Sequence, residues 1–400
     1  MKLAQLLIWL LISTSLLTLG HWYLYRRLIV GAELPQRWRQ ALGVLLVVLL
    51  VTQPLAFAFS RSLPRDQLSP YAFAVFLWMG LFSTMFSLLG VFDVGRFVVA
   101  ILRKFSRAAV VIDHVPDPDR RRTFGRLLAS GVALGGAGIV GAGASNALSH
   151  FRVVPLDVRL AKLPRAFDGF RIVQVSDIHI GPTIGHDFIQ RMVETANGVG
   201  GDLIAITGDL VDGSVDQLAH HAAPLSGLAA PHGVFFVTGN HEYYSGADDW
   251  VQELQRLGIP TLRNRRVSIE RGGAAFDLAG VTDHRAGQYD DAPDLEGALR
   301  GRDVTRELVL LAHQPAAVHE AARHDVGLQL SGHTHGGQFW PWNWAVYLVQ
   351  PIVRGLGRFG RTQVYVNTGT GYWGPPVRNG SEPEITVVTL RCAAPDPARS

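Results

Sequence analysis

Four stretches in the first 150 residues, at positions 3–25, 41–60, 67–92 and 127–149, contain no Asp, Glu, Lys or Arg. A bilayer core of about 30 Å, crossed at about 1.5 Å per helical residue, needs roughly 20 apolar residues. The first three stretches are dense in Leu, Val, Phe and Ala. So short a segment has no protein layer in which to bury helices that are apolar all round. Residues 1–126 are therefore expected to form a membrane region with three transmembrane helices, 127–150 a fourth apolar segment, and 151–400 a separate domain.

Charge divides the chain at the same place. The whole sequence nets +4 at neutral pH, but residues 1–150 hold 15 Lys+Arg against 6 Asp+Glu, whereas residues 151–400 hold 22 against 27. The basicity belongs to the membrane loops. Arg26, Arg27, Arg37 and Arg39 follow the first stretch, Arg61 and Arg65 with Asp66 the second, and Arg103, Lys104, Arg107, Arg120, Arg121, Arg122 and Arg126 the third. Lys and Arg in short loops stay cytoplasmic. The first and third loops are thus expected on the inner side of a cell inner membrane, with the domain after residue 150 facing the periplasm or the exterior. No run of the acidic part interleaves Lys and Arg with aromatics along one face, so nucleic-acid binding is not expected. The lone Cys392 excludes an internal disulfide framework and a thiolate zinc cluster.

The fourth stretch is diluted by Gly131, Gly135, Gly136, Gly138, Gly141 and Gly143, follows Arg121-Arg122-Thr123-Phe124, and contains Ala142-Gly143-Ala144. Twin arginines, a weakly apolar run and a small-x-small triplet resemble a twin-arginine export signal set inside the chain. A helix whose arginines only fix topology accounts for the same letters, and both readings put the following domain outside. Gly136-Ala137-Gly138-Ile139-Val140-Gly141 also fits the dinucleotide pattern GxGxxG. No strand precedes it, as a phosphate-binding turn requires; close packing of membrane helices explains the small residues instead.

From residue 151 onward, β-branched runs alternate with amphipathic stretches. Strands are expected at 171–175, 203–207, 234–237, 275–279, 308–312, 327–330, 363–366 and 385–390, and helices at 186–197, 216–228, 248–257 and 316–322. Such alternation implies an α/β domain, in which ligands bind beyond the carboxyl ends of the strands.

Polar residues gather at those ends. Ser176-Asp177-Ile178-His179 follows the first strand, and in an extended segment residues i and i+2 point the same way, so Asp177 and His179 present a carboxylate and an imidazole to one point. Gly208-Asp209, Gly239-Asn240-His241-Glu242, His313 and Gly332-His333-Thr334-His335-Gly336 close the second, third, fifth and sixth strands. One polar residue at a strand end is commonplace; five groups in the same position are not. Oxygen and imidazole donors without thiolates suit Mn, Fe or Zn. Seven donors exceed the need of one tetrahedral ion and suit two divalent metal ions that share a carboxylate.

In order along residues 171–340 the blocks read DxH, GD, GNHE, a separate His and GHxH, and on them the chain resembles the calcineurin-like metallophosphoesterase superfamily. GDLVDG at 208–213, SGHTHGGQ at 331–338 and the closing GYWGPPVR and PEIT runs make it similar to that superfamily's bacterial membrane-associated or twin-arginine-exported branch. The resemblance implies an α/β class fold, a four-layer α/β/β/α sandwich preceded by an all-α membrane region. It implies that Asp177, His179 and His335 hold one metal, that Asn240, His313 and His333 hold the other, and that Asp209 bridges them. His241 is then no ligand but assists the leaving group, by proton donation or charge stabilisation. The implied reaction is hydrolysis of a phosphomonoester, phosphodiester or pyrophosphate by a hydroxide shared between the ions, since two divalent ions about 3.5–4 Å apart bring a water near neutral pKa and clamp phosphoryl oxygens. The expected partners are that phosphate ester, in one version part of a lipid or cell-envelope compound, and the lipid bilayer; no obligate protein partner is evident. The alternative is a non-catalytic membrane scaffold or sensor that keeps the fold without turnover, against which the complete donor set argues. A transporter finds no charged residue inside the four stretches to line a path.

Three further features carry weaker claims. Arg378 reads either as a phosphate contact, for which a guanidinium fork is suited, or as a surface arginine in a proline turn. Tyr372 and Trp373 read as packing ahead of cleft lining. Trp340, Trp342 and Trp344, with Tyr347, Leu348 and Val349, form an apolar loop after the GHTH turn. That loop either fills the core or touches the head-group level of a bilayer and admits a lipid-like substrate. His220, His221, His232, His319 and His324 match no block.

Overall fold

The computed structural model describes residues 3–59, 65–105 and 117–393; Ser60, Arg61 and Arg107 lie outside these. The chain divides into two compact units, Met1–Phe59 with Tyr71–Gly143, and Ser60–Pro70 with Ala144–Ser400.

The first unit is built from α1 (Leu3–Leu24), α2 (Gln36–Phe59) and most of α3 (Arg65–Phe105) and α4 (Pro118–Ser149). Among the described residues, Gln36–Ala56, Arg65–Phe105 and Pro118–Ser149 are long and apolar enough to cross a membrane. Two details depart from or sharpen the sequence expectation. Helix α3 runs 41 residues, beyond the 67–92 stretch at both ends, and its Asp93 accepts from Tyr23 at 2.6 Å beside Arg27. Gly136 of the GxGxxG run lies inside α4, where an added Cβ would stand 3.0 Å from Met85 Cγ of α3. Its smallness serves helix packing and no phosphate turn. Arg121 and Arg122 both reach Glu33, at 2.9 and 3.2 Å.

The second unit holds two mixed sheets. Its strands among the described residues are β1 (Arg152–Leu160), β2 (Arg171–Val175), β3 (Leu203–Ile206), β4 (Val234–Phe236), β5 (Arg265–Arg271), β6 (Ala274–Gly280), β7 (Leu308–Leu311), β8 (Leu328–Ser331), β9 (Gly355–Phe359), β10 (Thr362–Val366) and β11 (Glu384–Cys392). One sheet has the order β1-β11-β2-β3-β4, the other β5-β6-β7-β8-β10-β9. Strands β2, β3 and β4 run parallel, as do β6, β7, β8 and β10. Register brings their carboxyl ends level: Val175 pairs with Ile206, Leu311 with Leu330, and Ser331 with Val366.

Burial explains why these strands are apolar throughout. Alternate residues of a strand face opposite sides, and parallel strands are usually covered on both. Val173, Val175, Ile204 and Ile206 pack against Ile189, Met192 and Val193 of α5 (His186–Gly198), Leu218 of α6 (Val215–Ala222), and Trp250 and Leu254 of a helix at Ala247–Arg256. Ile172, Leu203 and Ala205 share another cluster with Phe276, Leu278, Val309, Leu311, Leu328 and Leu330 of the other sheet. Leu308 and Leu310 face Leu295, Leu299 and Ala321 in a third.

All eight expected strands form. The three that sequence periodicity does not anticipate, β1, β5 and β9, are sheet edges, where one side of the ladder is open and side chains can be polar. The expected helix at 216–228 stops at Ala222 and continues as a 3-10 turn, Ala223–Gly227, because Pro224 has no N–H for a helical bond. The stretch at 316–322 becomes a 3-10 turn followed by Val318–Ala321.

Phe276 tests the inter-sheet cluster. It is fully buried, with Phe167 and Phe170 edge-on at 4.9 and 5.5 Å between centroids. Phe276→Ala is expected to cost about 3–5 kcal/mol, read as a lowered thermal midpoint in detergent with membrane insertion unchanged.

Candidate metal centre

Each residue expected in the site leaves a strand at its carboxyl end. Asp177 and His179 follow β2, Asp209 follows β3, Asn240 and His241 open α7 (Asn240–Ser245) after β4, His313 follows β7, and His333 and His335 follow β8. All are buried except His241 and His333, which are half-buried.

Extended geometry is not what aims the two DxH donors. Asp177 and His179 have φ of 50° and 57°, and Asp209, His333 and His335 share this left-handed backbone with φ of 51°, 72° and 51°. Non-glycine residues enter that region at a cost and stay only where their surroundings hold them. Here the surroundings are a backbone zipper. Asp177 N–H donates to Gly208 O at 3.0 Å, His179 N–H to Asp209 O at 3.1 Å and Ile180 N–H to Leu210 O at 2.8 Å. Gly332 is obligatory, since a Cβ there would collide with Ser176 Oγ and Asp177 Oδ2.

The side chains form two groups, Asp177 with His179 and His335, and Asp209 with His313 and His333; in each, the potential ligand atoms lie within 4.8 Å of one another. His179 Nε2 is 3.0 Å from His335 Nε2, which is 3.6 Å from Asp177 Oδ1. His313 Nε2 is 3.1 Å from Asp209 Oδ2 and 3.2 Å from His333 Nδ1. Asp209 Oδ2 is also 4.0 Å from His179 Nε2, so this carboxylate stands between the groups.

These residues fit divalent cations. Asn240 Oδ1 is buried and accepts no hydrogen bond, an expensive state for an amide oxygen unless a cation is its partner. His313 Nδ1 donates to Thr207 O at 2.8 Å, which leaves the Nε2 lone pair facing Asp209. Burial drives the His335 imidazolium well below its usual value, and the neighbouring His179 and Arg378 push the same way. That ring is therefore neutral, the form a metal binds.

Two residues, Asp212 and Glu242, acquire places that sequence patterning does not assign. Asp212 joins the two imidazoles of different blocks: its Oδ2 is 3.2 Å from His179 Nδ1, and its Oδ1 hydrogen-bonds His241 Nδ1. A parallel bridge between Ile180 and Val211 brings it there. Burial pushes the Asp212 carboxyl up, but the two imidazoles outweigh burial and hold it well below the usual carboxylate range. Burial likewise pulls the His241 imidazolium down, while Asp209 and Asp212 lift it to about 9. Its Nε2, 3.9 Å from Asp209 Oδ2, faces the cluster. Glu242 is a backbone clamp that accepts from the N–H groups of Asp209, Leu210, Val211 and Gly239 at 2.6–3.3 Å.

Arg378 does not lie at the surface. It is fully buried and donates to the carbonyls of Thr368 at 2.6 Å, Gly371 at 3.0 Å and His335 at 3.2 Å, and to Ser381 Oγ at 2.9 Å. Burial lowers its guanidinium to about 10. It stitches the loop carrying His335 to the loop after β10. The aromatic pair divides: Tyr372 is buried packing, whereas Trp373 is half exposed, its ring edge-on to that of His241 with 5.6 Å between centroids. The tryptophan loop is not core. It forms an exposed helix, Trp342–Val349, with no buried residue.

Residues 170–337 match the calcineurin-like phosphoesterase family. The chain is 33% identical over 403 residues to a zebrafish (Danio rerio) transmembrane protein with metallophosphoesterase domain, spanning 96% of this chain and 89% of that one. It is 36% identical over 289 residues to an uncharacterized metallophosphoesterase of Helicobacter pylori, covering 72% and 76% of the two chains. Over 384 residues it is 28% identical to another from Campylobacter jejuni, covering 93% and 95%. The chain belongs to the calcineurin-like phosphoesterase family. Its similarity to the zebrafish protein extends through the apolar helices as well as the α/β domain.

Arg378→Met leaves buried carbonyls without donors, each a cost of about 1–3 kcal/mol. The variant is expected to melt earlier and to bind manganese more weakly, measured by thermal unfolding and by metal content after dialysis.

Proposed function

We propose that this chain is a membrane-anchored, dinuclear-metal phosphoesterase. The observation that carries the proposal is Asp209, a buried carboxylate within 4.0 Å of imidazoles from both donor groups. On this reading Asp177, His179 and His335 hold one ion, Asn240, His313 and His333 the other, and Asp209 both. When bound, two divalent cations, Mn, Fe or Zn, polarise the phosphoryl group and bring a water near neutral pKa.

The chain's own groups do the rest. Asp209 offsets charge between the two groups of donors. Asn240 supplies a neutral oxygen, which adds a ligand without adding negative charge. Asp212 fixes the Nδ1–H of His241 and so aims its Nε2–H into the site. Raised to about 9, His241 is protonated at neutral pH and can donate to the leaving-group oxygen. Trp373 walls the site beside it. The substrate is a phosphomonoester, phosphodiester or pyrophosphate, with a lipid or cell-envelope compound as its carrier.

The reading extends to the whole chain. Residues 1–126 and 127–150 together supply four membrane helices, and residues 151–400 the α/β/β/α sandwich, whose three apolar clusters match interfaces of helix with sheet and sheet with sheet. The cationic first and third loops support an inner-membrane protein whose domain faces the periplasm or exterior.

Hydrolysis of bis-p-nitrophenyl phosphate by the purified full chain, with and without manganese, tests this. Asp209→Asn is expected to lose bound metal and activity together. His241→Ala is expected to keep its metal and lose about 10²–10⁴-fold in kcat. No metal-dependent turnover by the metal-loaded wild type would sink the enzyme reading.

The pH profile gives a second test. A general acid fails as pH rises through its pKa, and the carboxylates raise that of His241. Asp212→Asn is therefore expected to move the alkaline limb of kcat to lower pH; an unmoved limb assigns the proton to another group.

A further inference from the structure

Positions 336–353, between β8 and β9, contain no charged side chain. Within them the helix Trp342–Val349 leaves Trp344 67%, Leu348 89% and Val349 78% exposed. Contiguous apolar surface of this kind marks an interaction face. The helix is firmly seated beside the metal centre. Trp340 N–H donates to Asn379 Oδ1 at 2.8 Å, and Gly337, two residues past His335, sits so close that an added Cβ would stand 2.6 Å from Asn343 Cα.

The contacts around it point to what covers it. The Arg378–Asn379 turn that anchors Trp340 also receives the end of α4, where Asn146 Nδ2 donates to Arg378 O at 3.2 Å. The first residue of α3 docks on another site loop: Arg65 Nε donates to Gly181 O at 2.8 Å, two residues past His179. Both α3 and α4 are long and apolar enough to cross a membrane. The segments that make these contacts, up to Pro70 of α3 and from Ala144 of α4, belong to the same compact unit as the α/β domain and dock on the loop after His179 and on the turn that anchors the apolar helix. A helix rich in Trp, Tyr, Leu and Val at that position suits the head-group layer, where aromatic rings settle.

We propose that the helix Trp342–Val349 lies in the interfacial layer of the lipid bilayer, and that the site takes phosphate esters whose apolar part stays in the membrane. The substrate half rests on the phosphoesterase reading; the bilayer contact does not. A second copy of the chain is the competing occupant, and the ends of two spanning helices on the same loops favour the bilayer.

Cys392 is the sole cysteine, so Leu348→Cys in a Cys392→Ser background gives one labelling site in the full chain. The probe is a fluorophore at that site in vesicles of phosphatidylethanolamine and phosphatidylglycerol. Nitroxide-labelled lipid is expected to quench it and aqueous iodide to leave it largely untouched. Quenching by iodide alone overturns the bilayer contact, as does shielding from both quenchers with cross-linking between chains. For the substrate half, a p-nitrophenyl phosphodiester bearing a hexadecyl chain is embedded in the vesicles and compared with bis-p-nitrophenyl phosphate in solution. The combined Trp344→Ser, Leu348→Ser and Val349→Ser variant is expected to lose about tenfold or more on the embedded ester and nothing on the soluble one. Equal rates on the embedded ester overturn it. If the wild type hydrolyses neither ester, the phosphoesterase reading fails and takes the substrate half with it, while the quenching result still decides the bilayer contact.

Discussion

Asp209 places a negative charge where water hardly reaches, and the site is organised by the need to offset it. A buried carboxylate is tolerated only with counter-charge and hydrogen bonds. Asp209 receives the His241 N–H at 2.9 Å and has His313 Nε2 at 3.1 Å. Asp177, equally buried, accepts the His333 N–H at both of its oxygens, at 2.9 and 3.0 Å. Protons and cations compete for the remaining space around these two carboxylates. That competition separates the imidazoles. Burial lowers those of His241, His313, His333 and His335, but Asp209 reverses the direction for His313 and helps to do so for His241, while His335 and His333 stay low. Glu242 holds the arrangement from behind, because its four N–H contacts tie the loop after β3 to the turn that presents Asn240.

Much of this was legible in sequence, and the reason is positional. The donors sit just past apolar strands, and strands buried on both faces read as unbroken runs of Val, Ile and Leu. The grouping of donors around two centres came from a family resemblance; periodicity alone only placed them at one edge. Strand alternation is not what aims Asp177 and His179 at one point. They converge through left-handed backbone held by the neighbouring loop, which strand periodicity cannot show.

Part of what stayed hidden has partners that are far apart in sequence or belong to the backbone. Arg378 answers to carbonyl oxygens, which leave no residue signature. Asp212 links blocks that are adjacent only because the turns after β2 and β3 run side by side. The edge strands β1, β5 and β9 carry charge on exposed faces and so lack the apolar run that marks interior strands. The tryptophan segment was ambiguous because aromatic composition is the same for a core filler and for a surface helix; exposure alone separates them.

Strand β8 pairs directly with β10, so the sheet closes past the segment between β8 and β9 without using it. The donors therefore ride on a fixed frame, while that segment is a rim seated on the frame but outside its strands. Length and polarity can change there without moving the strands that carry the donors. Such a layout separates a rim open to exchange by grafting one loop from a frame of donors that must be kept whole.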